Sequence, residues 1–313
     1  MTEMAAPRDY YGKALVELGK KNENVVVLDA DLSSSTRTSM FAKAYPERFF
    51  NIGIAEQNLI GIAAGLANLG KVVFASSFAM FISGRAWDQV RNSVVYPKLN
   101  VKIAATHAGI TVGEDGATHQ ALEDIAIMRV LPSLNVLVPA DAIEAFQMIK
   151  YAAATPGPFY IRMSRGATPL VFKDSDYIFE LGKSKILVEG KDVAIIASGI
   201  MVDVALKAAA ELKKENIAAT VVNLSSIKPI DVETIVKVAK ATGCVVSAEE
   251  HSVYAGVGSA VAEVLALNYP VPMEMVAVQG VFGESGKPEE LLDKHNLNVN
   301  GILEKVRKVV ARK

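Results

Sequence analysis

Residues 56–74 read EQNLIGIAAGLANLGKVVF, and this stretch carries the pattern from which the fold is predicted. The segment from Glu56 to Leu69 has helical spacing and is almost wholly apolar beyond its first turn. Val72, Val73 and Phe74 then form a short run that is typical of a buried strand. A helix that leads into a near-continuous apolar strand is the repeating unit of a parallel sheet covered on both faces.

The same alternation continues along the chain. Further apolar runs predict strands at 25–28, 101–104, 136–138, 159–161, 193–196, 219–222 and 245–246. Further helical patterns occur at 141–154, 202–215, 231–242 and 257–268. Between 166 and 192 the pattern is broken by glycine, proline and a cluster at Asp174, Ser175 and Asp176, and Gly182 and Gly190 flank a predicted β-hairpin.

We therefore expect an α/β protein of two tandem domains, each a mainly parallel sheet flanked by helices. The first domain is predicted at 1–168 and the second at 191–313, with a linker at 169–190.

Composition narrows the classes of function. Hydrophobic residues make up 51% of the 313 positions and charged residues 21%, which favours an obligate oligomer with a large buried interface. Lys and Arg (33) nearly balance Asp and Glu (34), so neither nucleic acid nor an anionic membrane is an expected partner. No signal core is visible near the N-terminus and no uncharged run approaches the ~20 residues of a membrane helix, so a cytoplasmic protein is expected.

The first chemically informative segment is Gly53-Ile54-Ala55-Glu56-Gln57, at the start of the predicted apolar helix. An arbitrary glutamate at this position would be interpreted as a helix cap. The helix is too apolar for a surface helix, however, so Glu56 is expected at the edge of a core. Burial there disfavours the charged carboxylate and lets it hold or share a proton near neutral pH.

The second segment is Ser76-Ser77-Phe78-Ala79-Met80-Phe81, just after a predicted strand. Phe78 and Phe81 stand three residues apart and are expected to share one face of a helical turn. Core packing is the ordinary interpretation of such a pair. Because parallel sheets bind ligands at the carboxyl ends of their strands, a shelf for ring stacking is the alternative.

The third segment, Thr106 to Gln120, combines two histidines, three glycines and two acids in a predicted loop. The spacing of His107, Asp115 and His119 matches no common metal-ligand pattern, and no metal site is predicted. A Walker-type phosphate loop is excluded because the Gly-Lys-Ser/Thr ending is absent. A flexible surface loop remains the plain alternative, but polar loops at strand ends usually handle substrates, and substrate binding is favoured.

Taken together, these segments resemble the C-terminal section of transketolase, which comprises a pyrimidine-binding domain and a smaller C-terminal domain. The resemblance covers essentially the whole chain. Its anchors, in the order of the family, are Ala30-Asp31-Leu32, residues 53–57, residues 77–81, Arg85-Ala86-Trp87-Asp88-Gln89, residues 106–120 and Ser164-Arg165-Gly166.

The resemblance implies that thiamine diphosphate is the cofactor and that its pyrimidine half is bound here. Glu56 is similar to the glutamate that protonates N1′ of the aminopyrimidine, which allows the ring to deprotonate the thiazolium carbon. The apolar neighbours Ile54 and Leu59 would help that carboxylate keep a proton. Phe78 and Phe81 would line the pyrimidine pocket, and Asp31 would lie near the thiazolium and the substrate channel.

The resemblance also implies binding of sugar phosphates. His107 and Ser35 would help hold the phosphorylated sugar, Asp115 would contact the hydroxyl at C2, and His119 would bond oxygens at the reacting carbon. Arg165 and Arg8 are similar to the arginines that clamp the phosphate, because guanidinium groups match phosphate oxygens. For Arg8, an exposed charge near a frayed terminus is an equal alternative.

Two departures from the family pattern bear on the cofactor. Gly84 adds one residue before Arg85 relative to some members, so no third aromatic of the pyrimidine pocket is assigned. The Gly-Asp-Gly motif that, with a downstream Asn, holds Mg²⁺ and the diphosphate is missing, and the nearest match, residues 114–116, lacks the Asn. The resemblance therefore implies an N-terminal transketolase subunit that carries this motif and binds Mg²⁺, together with self-association of the assembly.

Three alternatives remain open. The β subunit of a 2-oxoacid dehydrogenase E1 component has the same two-domain order, but the paired histidines and the segment at 164–165 are better suited to phosphorylated sugars. Deoxyxylulose-phosphate synthase shares the run Asp-Gly-x-Thr-His-Gln but is usually a single long chain. A non-catalytic regulatory homologue is the third alternative, and the presence of Glu56 argues against it.

Overall fold

The computed structural model describes residues 3–173 and 177–313, and it contains two parallel-sheet domains in tandem. The predicted fold class is confirmed. The cluster at residues 174–176, which helped to define the predicted linker, lies outside the described residues.

The first domain follows the predicted alternation of strands and helices. Its strands are β1 (Met4–Ala5), β2 (Val25–Asp29), β3 (Phe49–Asn51), β4 (Val72–Phe78), β5 (Val101–Thr106), β6 (Asn135–Leu137), β7 (Phe159–Arg162) and β8 (Thr168–Pro169). Its helices are α1 (Pro7–Lys21), α2 (Ser33–Thr36), α3 (Ser39–Ala44), α4 (Glu56–Asn68), α5 (Ala79–Gly84), α6 (Trp87–Gln89), α7 (Asp124–Arg129) and α8 (Ala142–Ala154). A π-helical segment at Val90–Val95 and 3₁₀ segments at Pro46–Arg48 and Ile110–Asp115 complete the domain.

The second domain repeats the pattern on a smaller scale. Its strands are β9 (Lys185–Val188), β10 (Val193–Ala197), β11 (Ala219–Asn223), β12 (Ser226–Lys228), β13 (Val245–Ser252) and β14 (Met273–Val278). Its helices are α9 (Met201–Lys214), α10 (Val232–Thr242), α11 (Val257–Asn268), α12 (Pro288–Lys294) and α13 (Val299–Val310).

The larger sheet has the order β12-β6-β7-β5-β4-β2-β3, and its strands are parallel except for β12. Strands β2, β4 and β5 are buried at every position, as their apolar runs predict for a sheet covered on both faces. The chain passes from β2 to β3 on one side and then returns to β4 on the other. This reversal of direction opens a crevice at the carboxyl ends of β2 and β4, where α/β sheets bind ligands.

The smaller sheet has the order β14-β13-β10-β11-β9, with β9 antiparallel to β11. Capping residues define both ends of α10. Asp231 accepts a hydrogen bond from the backbone of Thr234 at its start, and Gly243 ends the helix with φ of 73°. The hairpin expected between Gly182 and Gly190 is not formed, because the segment contains the single strand β9, which pairs with β11. Part of the predicted linker is thus a sheet edge.

A strand pairing and a buried polar contact connect the two domains. Strand β12 leaves the second domain and pairs with β6, so it extends the sheet of the first domain. The Glu144 carboxylate accepts from Asn223 Nδ2 at 2.9 Å and from the Tyr177 hydroxyl, and burial raises the pKa of Glu144 to about 7. These contacts fix the second domain against the first.

Across the described ranges 3–173 and 177–313, none of the helices combines the length and the apolar character needed to cross a bilayer.

Candidate active site

The carboxyl edge of the larger sheet brings the predicted site residues to one side of the first domain. Asp31 follows β2, Phe78 ends β4 and His107 follows β5. Arg165 lies three residues beyond the end of β7, and Glu56 is the first residue of α4, which leads into β4. Parallel strands place these carboxyl ends side by side, so residues far apart in the sequence line one crevice.

Glu56 occupies the position that the sequence predicts, at the N-terminus of an apolar helix and 4% exposed. Leu59 and Ile60 beneath it are fully buried, whereas Ile54 is 78% exposed and does not shield the carboxylate. An open cavity of about 410 Å³ lies beside it.

Helix α4 was expected to be too apolar for the surface, but one of its faces is exposed. The face of α4 formed by Gln57, Asn58, Gly61 and Ile62 is exposed, and a methyl group added at Gly61 would contact nothing. Helix α4 therefore has one face packed against the sheet and one face exposed to solvent. The exposed face lies directly beside Glu56.

A cluster of stacked rings forms the next part of the site. The rings of Phe78 and Phe81 stack with centroids 5.8 Å apart and an interplanar angle of 22°. The expectation that both residues share a helical turn was wrong, because β4 continues through small buried residues to Phe78 and only Phe81 lies in α5. The His107 ring stacks on Phe78 at 3.8 Å, and the His119 ring meets Phe81 edge-on at 5.1 Å.

His107 is a buried neutral imidazole. Its backbone has φ of 57° and it is 2% exposed. Burial, with the Arg8 charge as the next cause, lowers the pKa of His107 to about 3. Arg8 Nη1 lies 3.3 Å from Nε2, so that nitrogen accepts, and Nδ1 carries the proton towards Thr106 Oγ1 at 2.9 Å.

Arg8 lies in the first turn of α1, and its side chain is half-buried. Besides His107, it donates to the carbonyl of Ser35 at 3.0 Å, so Ser35 contacts it through the backbone. Burial lowers the pKa of Arg8, and the positive charges of Arg37, which is bonded to Asp9 at 2.6 Å, and of Arg165 lower it further. The alternative of a free charge on a frayed terminus does not fit these contacts.

The loop from Thr106 to Gln120 carries the other polar residues. The Nη1 of Arg165 donates to the carbonyl of Val112 at 2.5 Å and lies 3.7 Å from Asp115 Oδ2. The side chains of Arg165 and Asp115 are 36% and 39% exposed, so both remain accessible to a ligand. His119 Nδ1 is 2.9 Å from Thr118 Oγ1.

Asp31 lies two residues after β2, which β4 separates from β5 and its loop in the sheet. It adopts φ of 65° and accepts from Asn51 Nδ2 at 2.8 Å. Its carboxylate is exposed.

Arg85 belongs to this site although sequence reasoning gave it no role. Its Nη1 is 3.2 Å from Glu56 Oε1, and its guanidinium carbon lies 4.2 Å from the centroid of the Phe81 ring. Its side chain is 55% exposed and can move away. Arg85 stands 29 residues from Glu56 in the chain, so no local spacing could reveal the contact.

The described ranges contain no cluster of three or more His, Cys, Asp or Glu side chains that could hold a metal ion. This edge offers one buried carboxylate, which Arg85 links to the stacked rings, and further arginines beyond those rings. That arrangement suits a flat heterocycle next to a phosphorylated substrate.

Comparison with known proteins gives a consistent result over both domains. The family model of the transketolase pyrimidine binding domain matches residues 3–171, and that of the transketolase C-terminal domain matches residues 182–302.

Individual relatives agree with these family models. A chain named as a transketolase C-terminal section from Methanocaldococcus jannaschii is 54% identical over 301 residues, which is 96% of this chain and 94% of the relative. A subunit of 6-deoxy-6-sulfo-D-fructose transketolase from Clostridium sp. is 42% identical, with 98% of this chain and 95% of the relative covered. A solved split-gene transketolase, an inactive β4 tetramer, superposes with a TM-score of 0.92 and 57% identity over 98% of both chains.

Proposed function

This chain belongs to the transketolase family, and we propose that it is the C-terminal subunit of a two-component transketolase that depends on thiamine diphosphate. The assembled enzyme transfers a two-carbon ketol unit from a ketose phosphate to an aldose phosphate. The observation that carries the proposal is the buried Glu56 carboxylate, which borders an open cavity and is linked through Arg85 to the Phe81 ring, itself stacked on Phe78.

Glu56 and the aromatic residues near it fit the pyrimidine half of the cofactor. Phe78 and Phe81 offer a stacked aromatic surface, and the hydrogen-bond partner of Glu56 in the described chain is the half-exposed Arg85. Glu56 would hold a proton against a ring nitrogen, and Asp31 would lie near the thiazolium and the substrate channel. Thiamine diphosphate, when bound, supplies the carbon nucleophile that accepts the ketol unit.

The opposite end of the crevice supports binding of the sugar phosphate. Arg8 and Arg165 would contact the phosphate, and the neutral His107 would bond through the nitrogen that now accepts from Arg8. Asp115 and His119, on the accessible loop, would contact hydroxyl groups near the reacting carbon. A phosphate clamp remote from the reacting atoms can hold those atoms in place for transfer.

The diphosphate and Mg²⁺ would be held by a partner subunit. The sequence contains no Gly-Asp-Gly motif, and the exposed face of α4 beside Glu56, which carries Gln57, Asn58 and Ile62, gives the partner a surface to cover. The split-gene relative forms a tetramer of its own chain, which supports self-association as well. A heterotetramer of two chains of each kind is the proposed active assembly.

Reconstitution tests the proposal. The chain is to be co-purified with a candidate partner that carries Gly-Asp-Gly, and thiamine diphosphate with Mg²⁺ titrated into each chain and into the mixture. We expect tight cofactor binding and ketol transfer from xylulose 5-phosphate to ribose 5-phosphate in the mixture only. Tight binding and full activity of this chain alone would refute the need for a partner.

The substrate class is tested with the same mixture. Oxidation of pyruvate with a dye acceptor, without turnover of sugar phosphates, would identify an E1 β subunit instead. Condensation of pyruvate with glyceraldehyde 3-phosphate would identify a deoxyxylulose-phosphate synthase. A mixture that binds the cofactor and turns over none of these substrates would favour a regulatory homologue.

A further inference from the structure

Two adjacent glutamates, Glu249 and Glu250, lie buried near the carboxyl end of β13 in the second domain. Their hydrogen bonds run in different directions. Glu249 accepts from the backbone nitrogens of Val257 and Gly258, both at 2.7 Å, and so caps α11 within its own domain. Glu250 reaches into the first domain.

The contact made by Glu250 is a closely fitted one. Its Oε1 accepts from the backbone nitrogen of Thr111 and from the Thr111 hydroxyl, both at 2.6 Å. Room for the carboxylate exists because residue 109 is glycine with φ of 84°: a Cβ there would lie 2.2 Å from the carboxyl carbon of Glu250. Arg162 Nη2 donates to the Glu250 carbonyl at 2.9 Å and fixes the backbone that carries it.

Thr111 belongs to the 3₁₀ segment Ile110–Asp115, which ends at the exposed Asp115. The second domain holds the far end of the same loop as well, since Gln120 Nε2 donates to the Ile110 carbonyl at 3.0 Å and to the Glu284 carbonyl at 2.9 Å. Residues 111 and 120 are thus both tied to the second domain, and Asp115 and His119 lie between them. Their positions depend on these ties.

We propose that Glu250 is a positioning residue, through which the second domain sets the geometry of Asp115 and His119 and therefore the affinity for the sugar substrate. The role in substrate affinity rests on the proposed function, whereas the mechanical link from Glu250 to the loop does not. A charged acceptor holds both donors of Thr111 more strongly than a neutral one would. Without it, two buried donors lose their partner, and the loop relaxes to reach water.

The mechanical link is tested on the isolated chain by hydrogen–deuterium exchange. Glu250→Ala should raise the exchange of amides at 110–119 at least tenfold, and Glu250→Gln, which keeps one oxygen acceptor, should raise it less. Glu249→Gln is the matched control, because it alters an adjacent buried glutamate whose bonds stay inside the second domain. It should increase exchange at the start of α11 and leave 110–119 unchanged.

The effect on substrate binding is tested in the reconstituted enzyme. Glu250→Ala should raise KM for the ketose phosphate about tenfold, with a partial return in Glu250→Gln, while the Kd for thiamine diphosphate stays within about twofold. A general loss of domain stability would change both KM and Kd. The Glu249→Gln variant measures the size of that general effect. Thr111→Val, which removes only the hydroxyl bond, should raise KM about threefold and serves if Glu250→Ala does not fold.

Equal exchange at 110–119 in wild type, Glu250→Gln and Thr111→Val would overturn the proposal, and so would an equal increase in the Glu249 control. Raised loop exchange with an unchanged KM would also overturn it, since the loop would then not set affinity. If the wild-type mixture performs no ketol transfer at all, the proposed function fails instead, and the exchange result still decides the link between Glu250 and the loop.

Discussion

At the carboxyl edge of the larger sheet, polar side chains remain available to a ligand. At the carboxyl edge of the smaller sheet, the polar side chains are already hydrogen-bonded within the protein. At the larger sheet, Asp31 and Asp115 are exposed, and Glu56 borders an open cavity. At the smaller sheet, Asn223 bonds Glu144 and Glu250 bonds Thr111, both across the domain boundary. Two edges of the same architecture thus differ: one leaves polar groups open to a ligand, and the other is occupied by the neighbouring domain.

Strand order alone therefore does not make the edge of an α/β sheet a binding site. The smaller sheet also reverses its winding, between β10 and β13, yet Ser198 and Glu249 at that reversal are buried. Whether an edge binds ligands depends on what covers it.

The largest expected effect concerns the open edge. Glu56→Gln keeps the shape of the side chain but removes the acidic proton, so kcat of the reconstituted enzyme should fall about 10²–10⁴-fold, the usual range for loss of general acid–base catalysis. The Tm of the isolated chain should change by less than about 3 °C. A variant with near-normal kcat would show that this edge is not catalytic.

The next effect concerns the buried boundary between the two domains. Arg162 donates to Asp124 at 2.9 Å and to the carbonyls of Ala121 and Glu250, all of them buried. Arg162→Met leaves the Asp124 charge unpaired, so the free energy of unfolding should fall by about 3–5 kcal/mol in denaturant titrations.

Arg129→Ala is the control for Arg162. Arg129 also joins the two domains, through Glu263 at 2.6 Å, but Glu263 is 61% exposed. Its removal should cost about 0.2–1 kcal/mol. Comparable losses in the two variants would contradict the idea that burial makes the Arg162 contacts structural.

A smaller effect is expected from pH. His107 has its pKa lowered to about 3 in the folded chain, against about 6.5 when unfolded, so the unfolded chain binds more protons between these values. The contribution of neutral His107 to stability is complete above pH 6.5 and is lost as the pH falls towards 3. Between pH 6.5 and 5, the stability difference between wild type and His107→Gln should fall by up to about 2 kcal/mol.

Urea titrations of both proteins at several pH values measure this difference. His251, whose pKa is also lowered by burial, to about 4, is present in both proteins and cancels. A difference that is constant with pH would mean that His107 is not held neutral by burial and by Arg8.

The smallest effect concerns Arg85. Under the proposed function, this residue would compete with the cofactor for Glu56 and Phe81, so Arg85→Leu should tighten thiamine diphosphate binding by the assembled enzyme about two- to fivefold. That factor corresponds to a half-exposed ion pair worth less than about 1 kcal/mol. Isothermal titration measures it, and weaker binding would instead identify Arg85 as a cofactor contact.

The sequence predicted the fold well because its strands are buried on both faces and its helices are strongly apolar. Helix α4 was predicted at 56–69 and is found at Glu56–Asn68. The end of β4 was missed since Ser76 and Ser77 do not look like strand residues. They are buried in the sheet all the same, and Ser76 bonds the Tyr11 hydroxyl at 2.6 Å.

The site was predictable only in part. Motif resemblance placed Glu56, His107 and Arg165 at one edge, and the roles assigned to these residues stay predictions. The contact of Glu250 with Thr111 spans 139 positions, and that of Arg85 with Glu56 spans 29. Contacts of that kind arise from packing between elements, which single-sequence periodicity does not encode.

Strand β12 limits how recombination could divide the gene that encodes this protein. Three residues of the second domain complete the sheet of the first, and Lys228 Nζ also donates to the Arg129 carbonyl at 3.0 Å. A recombination event that divided the gene between residues 169 and 190 would expose the edge of β6 and invite aggregation. The two domains are therefore expected to be inherited together, as one indivisible module.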